Sequence, residues 1–149
     1  MQTKEIKQAL EEFFGKMGMP LSGVTVEIGQ DAIALDVTSP NPEMLIGQNG
    51  QTLLELQRIL KVLINKKFQT NMHLDVDING YKKQKIQHLK NLAKNAANEV
   101  FLTRAKKILP PMPSYERRII HAELAGRQDI ITGSQGEGEQ RRVVISPVI

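Results

Sequence analysis

Two short runs restrict this chain more than anything else in it. Val24, Val26 and Ile28 alternate strictly with polar residues, and so do Ile33, Leu35 and Val37. A period of two puts each apolar set on one face of a strand, and Gly29-Gln30-Asp31 between them is a tight turn, so the segment predicts a β-hairpin. A hairpin with one oily face does not stand alone in water; it needs a third strand or a helix laid over that face. The sequence supplies both. Upstream, Ile6, Leu10, Phe13, Phe14 and Met17 recur at helical spacing until Gly15, Gly18 and Pro20 stop the helix. Downstream, Leu53, Leu56, Leu60 and Leu63 line one helical face, joined by Leu54, Ile59 and Ile64, and Met72, Leu74, Val76 and Ile78 then alternate as a third strand. Between hairpin and helix, Pro40 and Pro42 make turn chemistry and start a short helix carrying Met44 and Leu45. The expected fold class is α+β, with helices over one face of a small sheet.

Residues 79–85, Asn-Gly-Tyr-Lys-Lys-Gln-Lys, mark a boundary, and the charge changes sign there. Residues 1–80 hold 7 Lys+Arg against 10 Asp+Glu, a net −3; residues 81–149 hold 13 against 6, a net +7. A basic second half is either a footprint for a polyanion or a solvated surface, and charge alone does not choose. The expected domains are 1–80 and 81–149. In the second, Ile86, Leu89, Ala93, Ala96 and Val100 predict the buried stripe of a long helix, with Lys83, Lys90 and Lys94 along its flank. Pro110, Pro111 and Pro113 break it, Ser114 is the expected cap of the next helix with Arg117 at its third helical position, and residues 128–134 and 141–146 read as two closing strands. The 149 residues contain no cysteine, which removes disulfides and thiol chemistry. No run of about 18 apolar residues is present to span a membrane, and the N-terminus has charges spread through its apolar positions, unlike a signal peptide. The expected compartment is the cytoplasm.

Gly47-Gln48-Asn49-Gly50 stands between the short helix and the long one. Glycines before a helix let a ligand's backbone come close, and the helix's first N–H groups and positive dipole end suit a phosphate. A nucleotide-binding P-loop would need Gly-Lys-Ser/Thr here; Gly50 is followed by Gln51-Thr52, so an NTPase is excluded. With Leu45 and Ile46 before the loop, two strands upstream and one downstream, residues 1–80 resemble the KH domain in its type II, prokaryotic element order. The resemblance implies that Ile46, Gly47, Gln48, Asn49 and Gly50 clamp the backbone of single-stranded nucleic acid beside a groove for bases. KH loops often hold Lys or Arg between the glycines, whereas this one has two amides, so weak affinity is expected of this domain alone.

Arg117 and His121 lie four apart, on one helical face. Together with the ending Ser134 to Ile145, which contains Arg141 and Arg142, they resemble the domain family named for an arginine and a histidine separated by three residues. That family binds single-stranded nucleic acid, and the resemblance implies contact through Arg117, Arg118 and His121, with charge from Arg141 and Arg142. A KH domain followed directly by such a domain resembles the bacterial Jag (SpoIIIJ-associated, also KhpB) family. The implied function is cytoplasmic, non-enzymatic RNA binding linked to cell elongation, division and envelope growth. Single-stranded DNA is a second candidate ligand, and a small KH protein or a second copy of the chain a candidate protein partner. The family's usual N-terminal domain and basic linker are not in this sequence, and no membrane insertion is expected.

Other chemistries are poorly supplied. Asp75, Asp77 and Asn79 imitate the start of an EF-hand, but the twelfth position falls on Ile86 and the ninth on Lys83, so calcium is excluded. His73, His88 and His121 have no zinc-ligand spacing. A nuclease built on His121 and Arg117 lacks a carboxylate cluster for Mg²⁺, and only Glu116 or Glu123 is near enough in sequence to orient the histidine. No cofactor or metal is implied. The rival reading is a protein-interaction adaptor that dimerises through the KH-like part, with nucleic acid incidental.

Overall fold

The hairpin forms as the alternation requires. In the computed structural model, which describes residues 2–149, β1 (Gly23–Ile28) and β2 (Ala32–Thr38) pair antiparallel with Val24 opposite Val37 and Val26 opposite Leu35. β3 (His73–Ile78) pairs parallel to β2, giving the order β1-β2-β3. A parallel neighbour cannot be reached by a tight turn. The crossover is the short helix α2 (Pro42–Ile46), a single 3₁₀ turn (Gln48–Gly50) and α3 (Gln51–Phe68). Helix α1 (Thr3–Lys16) and α3 bury Ile6, Leu10, Phe14, Leu53, Leu60 and Ile64 against Ile33, Leu35, Val76 and Ile78.

Met72, expected in the third strand, lies outside β3. Its N–H donates to Asn65 Oδ1 (2.9 Å) and its carbonyl accepts from Asn65 Nδ2 (3.0 Å), so an amide side chain takes both main-chain groups. The EF-hand imitation dissolves into structural bonds. Asp75 pairs with Lys82 at 2.7 Å, Asp77 is buried and accepts the N–H groups of Ile78 and Lys82, and Asn79 holds both main-chain groups of Ser39.

The chain divides into two compact units, Met1–Lys82 and Lys83–Ile149. In the second, α4 (Tyr81–Thr103), most of which belongs to it, and α5 (Ser114–Leu124) share a core with a sheet ordered β4-β6-β5. The strands are β4 (Lys107–Ile108), β5 (Ile130–Gln135) and β6 (Arg142–Pro147), all antiparallel. Leu89, Ala93, Ala97, Ile120, Val143 and Ile145 make the core.

Three expectations need correction here. Ile86 is 40% exposed, because the buried stripe of α4 starts one turn later at Leu89. Pro113, not Ser114, is the N-cap of α5, and no side chain caps the helix. A third strand, β4, was not foreseen: two residues carry no readable alternation, yet Lys107 and Ile108 pair with Ile145 and Val144.

Candidate nucleic-acid interface

The glycine loop is shaped by its own backbone. Gly47 has φ 73 and ψ −177, a region open essentially to glycine, and Gly50 lies in the left-handed region at φ 77, ψ 14. Asn49 is also left-handed (φ 54, ψ 26), a conformation that asparagine tolerates better than most residues. The space that each glycine leaves free is filled by the protein. A Cβ on Gly47 would fall 2.1 Å from Thr52 Oγ1, and one on Gly50 would fall 3.0 Å from the Tyr81 ring. At these two positions the missing side chain therefore admits Thr52 and Tyr81. The N–H groups of Gly47, Gly50 and Gln51 donate to the carbonyls of Glu43, Gly47 and Gln48. Gln48 and Asn49 are exposed, with Ile46, Gly47 and Gly50 half-buried beside them. Lys82 is held by Asp75 and by Gln57 Oε1 (2.5 Å), and Arg58 by Glu55, so neither is free to serve as a loop cation.

The second locus is assembled from three elements. Arg117 on α5 donates from Nε to the Met112 carbonyl (3.2 Å) and from Nη1 to Ser134 Oγ on β5 (3.3 Å). His121, one turn on, has Nδ1 2.9 Å from Thr132 Oγ1 and Nε2 3.1 Å from Ser134 Oγ. Thr132 and Ser134 are two apart on a strand, so their hydroxyls project on one face, towards α5. Burial, then the neighbouring Arg117 guanidinium, pushes the His121 pKa below the usual histidine value and keeps the ring neutral. Arg117 and His121 are half-buried, and Arg118 is exposed. The result is an oriented guanidinium beside a neutral imidazole and two hydroxyls, suited to an anion and a polar ring.

Arg141 and Arg142 are placed differently. Arg141 Nη1 donates to the Gly136 carbonyl (2.8 Å), bracing the turn between β5 and β6. Arg142 donates to the Gln140 carbonyl and to Gln140 Oε1. Val143 and Ile145 are buried against the helices, so Arg142, one residue off their alternation, belongs to the opposite sheet face. The structure thus brings Arg117 and His121 together and leaves Arg142 across the sheet.

Sequence reasoning missed the partners. His121 is oriented by Thr132 and Ser134, not by a glutamate, and Glu116 turns the other way. It is buried, and its carboxylate meets Lys85 of α4 at 3.2 Å. Glu123 pairs with Lys94. The alternation of Thr132 and Ser134 was the available signal, readable only once α5 is known to cross β5.

Comparison with known proteins agrees with this geometry. The Arg-x-x-x-His domain family, named for an arginine and a histidine separated by three residues, matches residues 87–147. RNA-binding protein KhpB of Clostridium symbiosum is 36% identical over 148 residues, 98% of this chain and 66% of that protein. The chain belongs to the KhpB (Jag) family. KhpB of Bacillus subtilis is 36% identical over 127 residues, covering 84% of this chain and 61% of the relative, and that of Lactiplantibacillus plantarum 34% over 121 residues, 81% and 38%. The chain therefore spans from under two fifths to just under two thirds of the length of these KhpB relatives. Among the described residues no helix is long and apolar enough to cross a membrane, and no group of three or more His, Asp or Glu is placed to hold a metal ion.

Proposed function

We propose that this chain is a non-enzymatic, cytoplasmic binder of single-stranded RNA, acting in bacterial post-transcriptional control linked to cell elongation, division and envelope growth. The observation that carries the reading is the half-exposed Arg117–His121 pair, fixed by Ser134 and Thr132 within the segment that matches the Arg-x-x-x-His domain family. Residues 81–149 act as the Arg-x-x-x-His module and residues 1–80 as a type II KH-like module. The hairpin, the parallel third strand and the glycine turn ahead of α3 support the second assignment. Arg117 takes a phosphate, and His121 hydrogen-bonds or stacks beside it. The KH-like loop adds a weaker contact through Gln48 and Asn49, and joining two weak sites on one chain raises their combined affinity for a strand that can reach both. KhpB relatives are named as RNA-binding proteins, which supports RNA over single-stranded DNA.

Fluorescence anisotropy with a short labelled RNA tests this. Binding at low ionic strength should weaken steeply with salt, log K falling by about 0.7 per phosphate neutralised. Absence of binding at low salt overturns the proposal.

One observation favours the adaptor reading, with a small KH protein or a second copy as the partner. The outer face of α3 exposes Ile59 (50%) and Val62 (67%) in an open groove edged by Arg58, Lys66 and Lys67. Pull-down with and without RNase separates the two, since an adaptor keeps its partner after RNA is destroyed.

A further inference from the structure

β5 is an edge strand, and the hydrogen-bond parity of its ladder fixes which of its main-chain groups face outward. Val148 N–H donates to the Asp129 carbonyl (3.2 Å), so that pair is a bonded one. In an antiparallel ladder bonded and non-bonded pairs alternate. Ile131–Ser146, Gly133–Val144 and Gln135–Arg142 are then bonded, while Ile130–Pro147, Thr132–Ile145 and Ser134–Val143 are not. Two independent facts agree. Pro147, with no N–H to give, falls at a non-bonded position, and the Val143 carbonyl is turned to the other side, where it accepts from Leu109 N–H (3.0 Å). The N–H and C=O groups of Thr132 and Ser134 therefore point off the open edge of the sheet, where no strand pairs with them.

These are the two residues whose hydroxyls hold His121, and Ser134 is also bonded to Arg117. The strand has none of the usual guards of an open edge: Ile130–Gln135 contains no charged residue and no proline. Each outward residue offers one donor beside one acceptor. An unpaired base offers the complement on its Watson–Crick edge: an amino group beside a ring nitrogen in adenine and cytosine, a carbonyl beside a ring N–H in guanine and uracil. Base pairing consumes those groups in a duplex, so such a site takes only unpaired bases.

Resting on the single-stranded RNA reading above, we propose that the open edge of β5 at Thr132 and Ser134 binds bases through main-chain N–H and C=O groups while Arg117 holds the adjoining phosphate. A peptide strand or a second copy could use the same edge by strand addition. The guanidinium bonded to Ser134 favours a polyanion.

Amide hydrogen exchange on the full chain tests this directly. Without ligand, Ile131 and Gly133, bonded to β6, should exchange slowly, and Thr132 and Ser134 quickly. A short mixed-sequence RNA should slow Thr132 and Ser134. An abasic strand of equal length should leave them fast and bind about tenfold more weakly, as should the same RNA annealed to its complement. Thr132→Val removes the hydroxyl and keeps the N–H; Thr132→Pro removes both at a position where the ladder needs no donor, and should bind about tenfold more weakly than Thr132→Val. If RNA binds and Arg117→Ala weakens it while Thr132 and Ser134 exchange as before, the edge reads nothing and this inference fails with RNA binding intact. If the two amides are already protected in a concentration-dependent way without RNA, a second copy owns the edge and the inference fails. If no RNA binds, the function proposed above fails with it.

Discussion

The glycine turn and the Arg117–His121 cluster are both candidate contacts for one kind of ligand, but they are built on opposite plans. The turn spends its glycines on itself: positive φ at Gly47 and Gly50, with Thr52 and Tyr81 seated where Cβ atoms would be. What it shows to solvent is two amide side chains and no cation. The cluster keeps ordinary helix and strand backbone and achieves its shape with side chains, each fixed by a bond to another element. A turn of the first kind is a rigid surface with little charge; a cluster of the second kind is a charged site prepared before the ligand arrives. Damage to the turn should therefore appear first in stability, and damage to the cluster first in affinity.

The largest effect should come from Gly47→Ala. The new methyl meets Thr52 at a glycine-only backbone conformation, so the first unit should lose about 3 kcal/mol or more, seen as a lowered thermal midpoint. A melt unchanged from the parent chain would show that the turn relaxes freely, and would end the contrast. Next is Arg117→Ala. Loss of one charge-assisted contact predicts about 10- to 100-fold weaker binding of short RNA by anisotropy. Gln48→Asp with Asn49→Asp should cost only several-fold, since aspartate tolerates the left-handed turn and adds only exposed repulsion. If the loop pair proves costlier than Arg117→Ala, the ranking of the two sites is reversed.

The smallest effect is in pH. His121 has its pKa lowered in the folded chain, so its neutral form is favoured there. Stability is then full above the unfolded value of about 6.5 and declines as pH falls from there through the lower folded value. A phosphate on Arg117 should reverse the shift, so NMR titration should find the His121 midpoint below about 6.5 in the free chain and higher with RNA. A midpoint that RNA leaves in place puts the phosphate elsewhere.

Period and punctuation made most of this fold legible. Val24 to Val37 announced the hairpin, the leucines of α3 its buried face, and the prolines at 110–113 the break before α5. What stayed hidden depends on which element crosses which. Two residues of β4 have no period to read. Ile86 keeps the spacing of its stripe but lies ahead of the core that the stripe serves. The glycines of the turn were correctly located and given the wrong physical reason, because the neighbours that need their space, Thr52 and Tyr81, become neighbours only in three dimensions. Arg117 and His121 were visible as a pair, and the hydroxyls that orient them, 11 to 17 residues away, were not.

Beneath this cluster the buried Glu116 meets Lys85 across α4 and α5. Removing either partner strands a charge away from water, a loss of about 3 kcal/mol when the survivor is largely buried, whereas replacing both with apolar groups of similar size is close to neutral. The two positions are therefore separated from an uncharged alternative by a fitness valley that no single substitution crosses. A lineage in which one of them has become apolar should carry the matching change at the other.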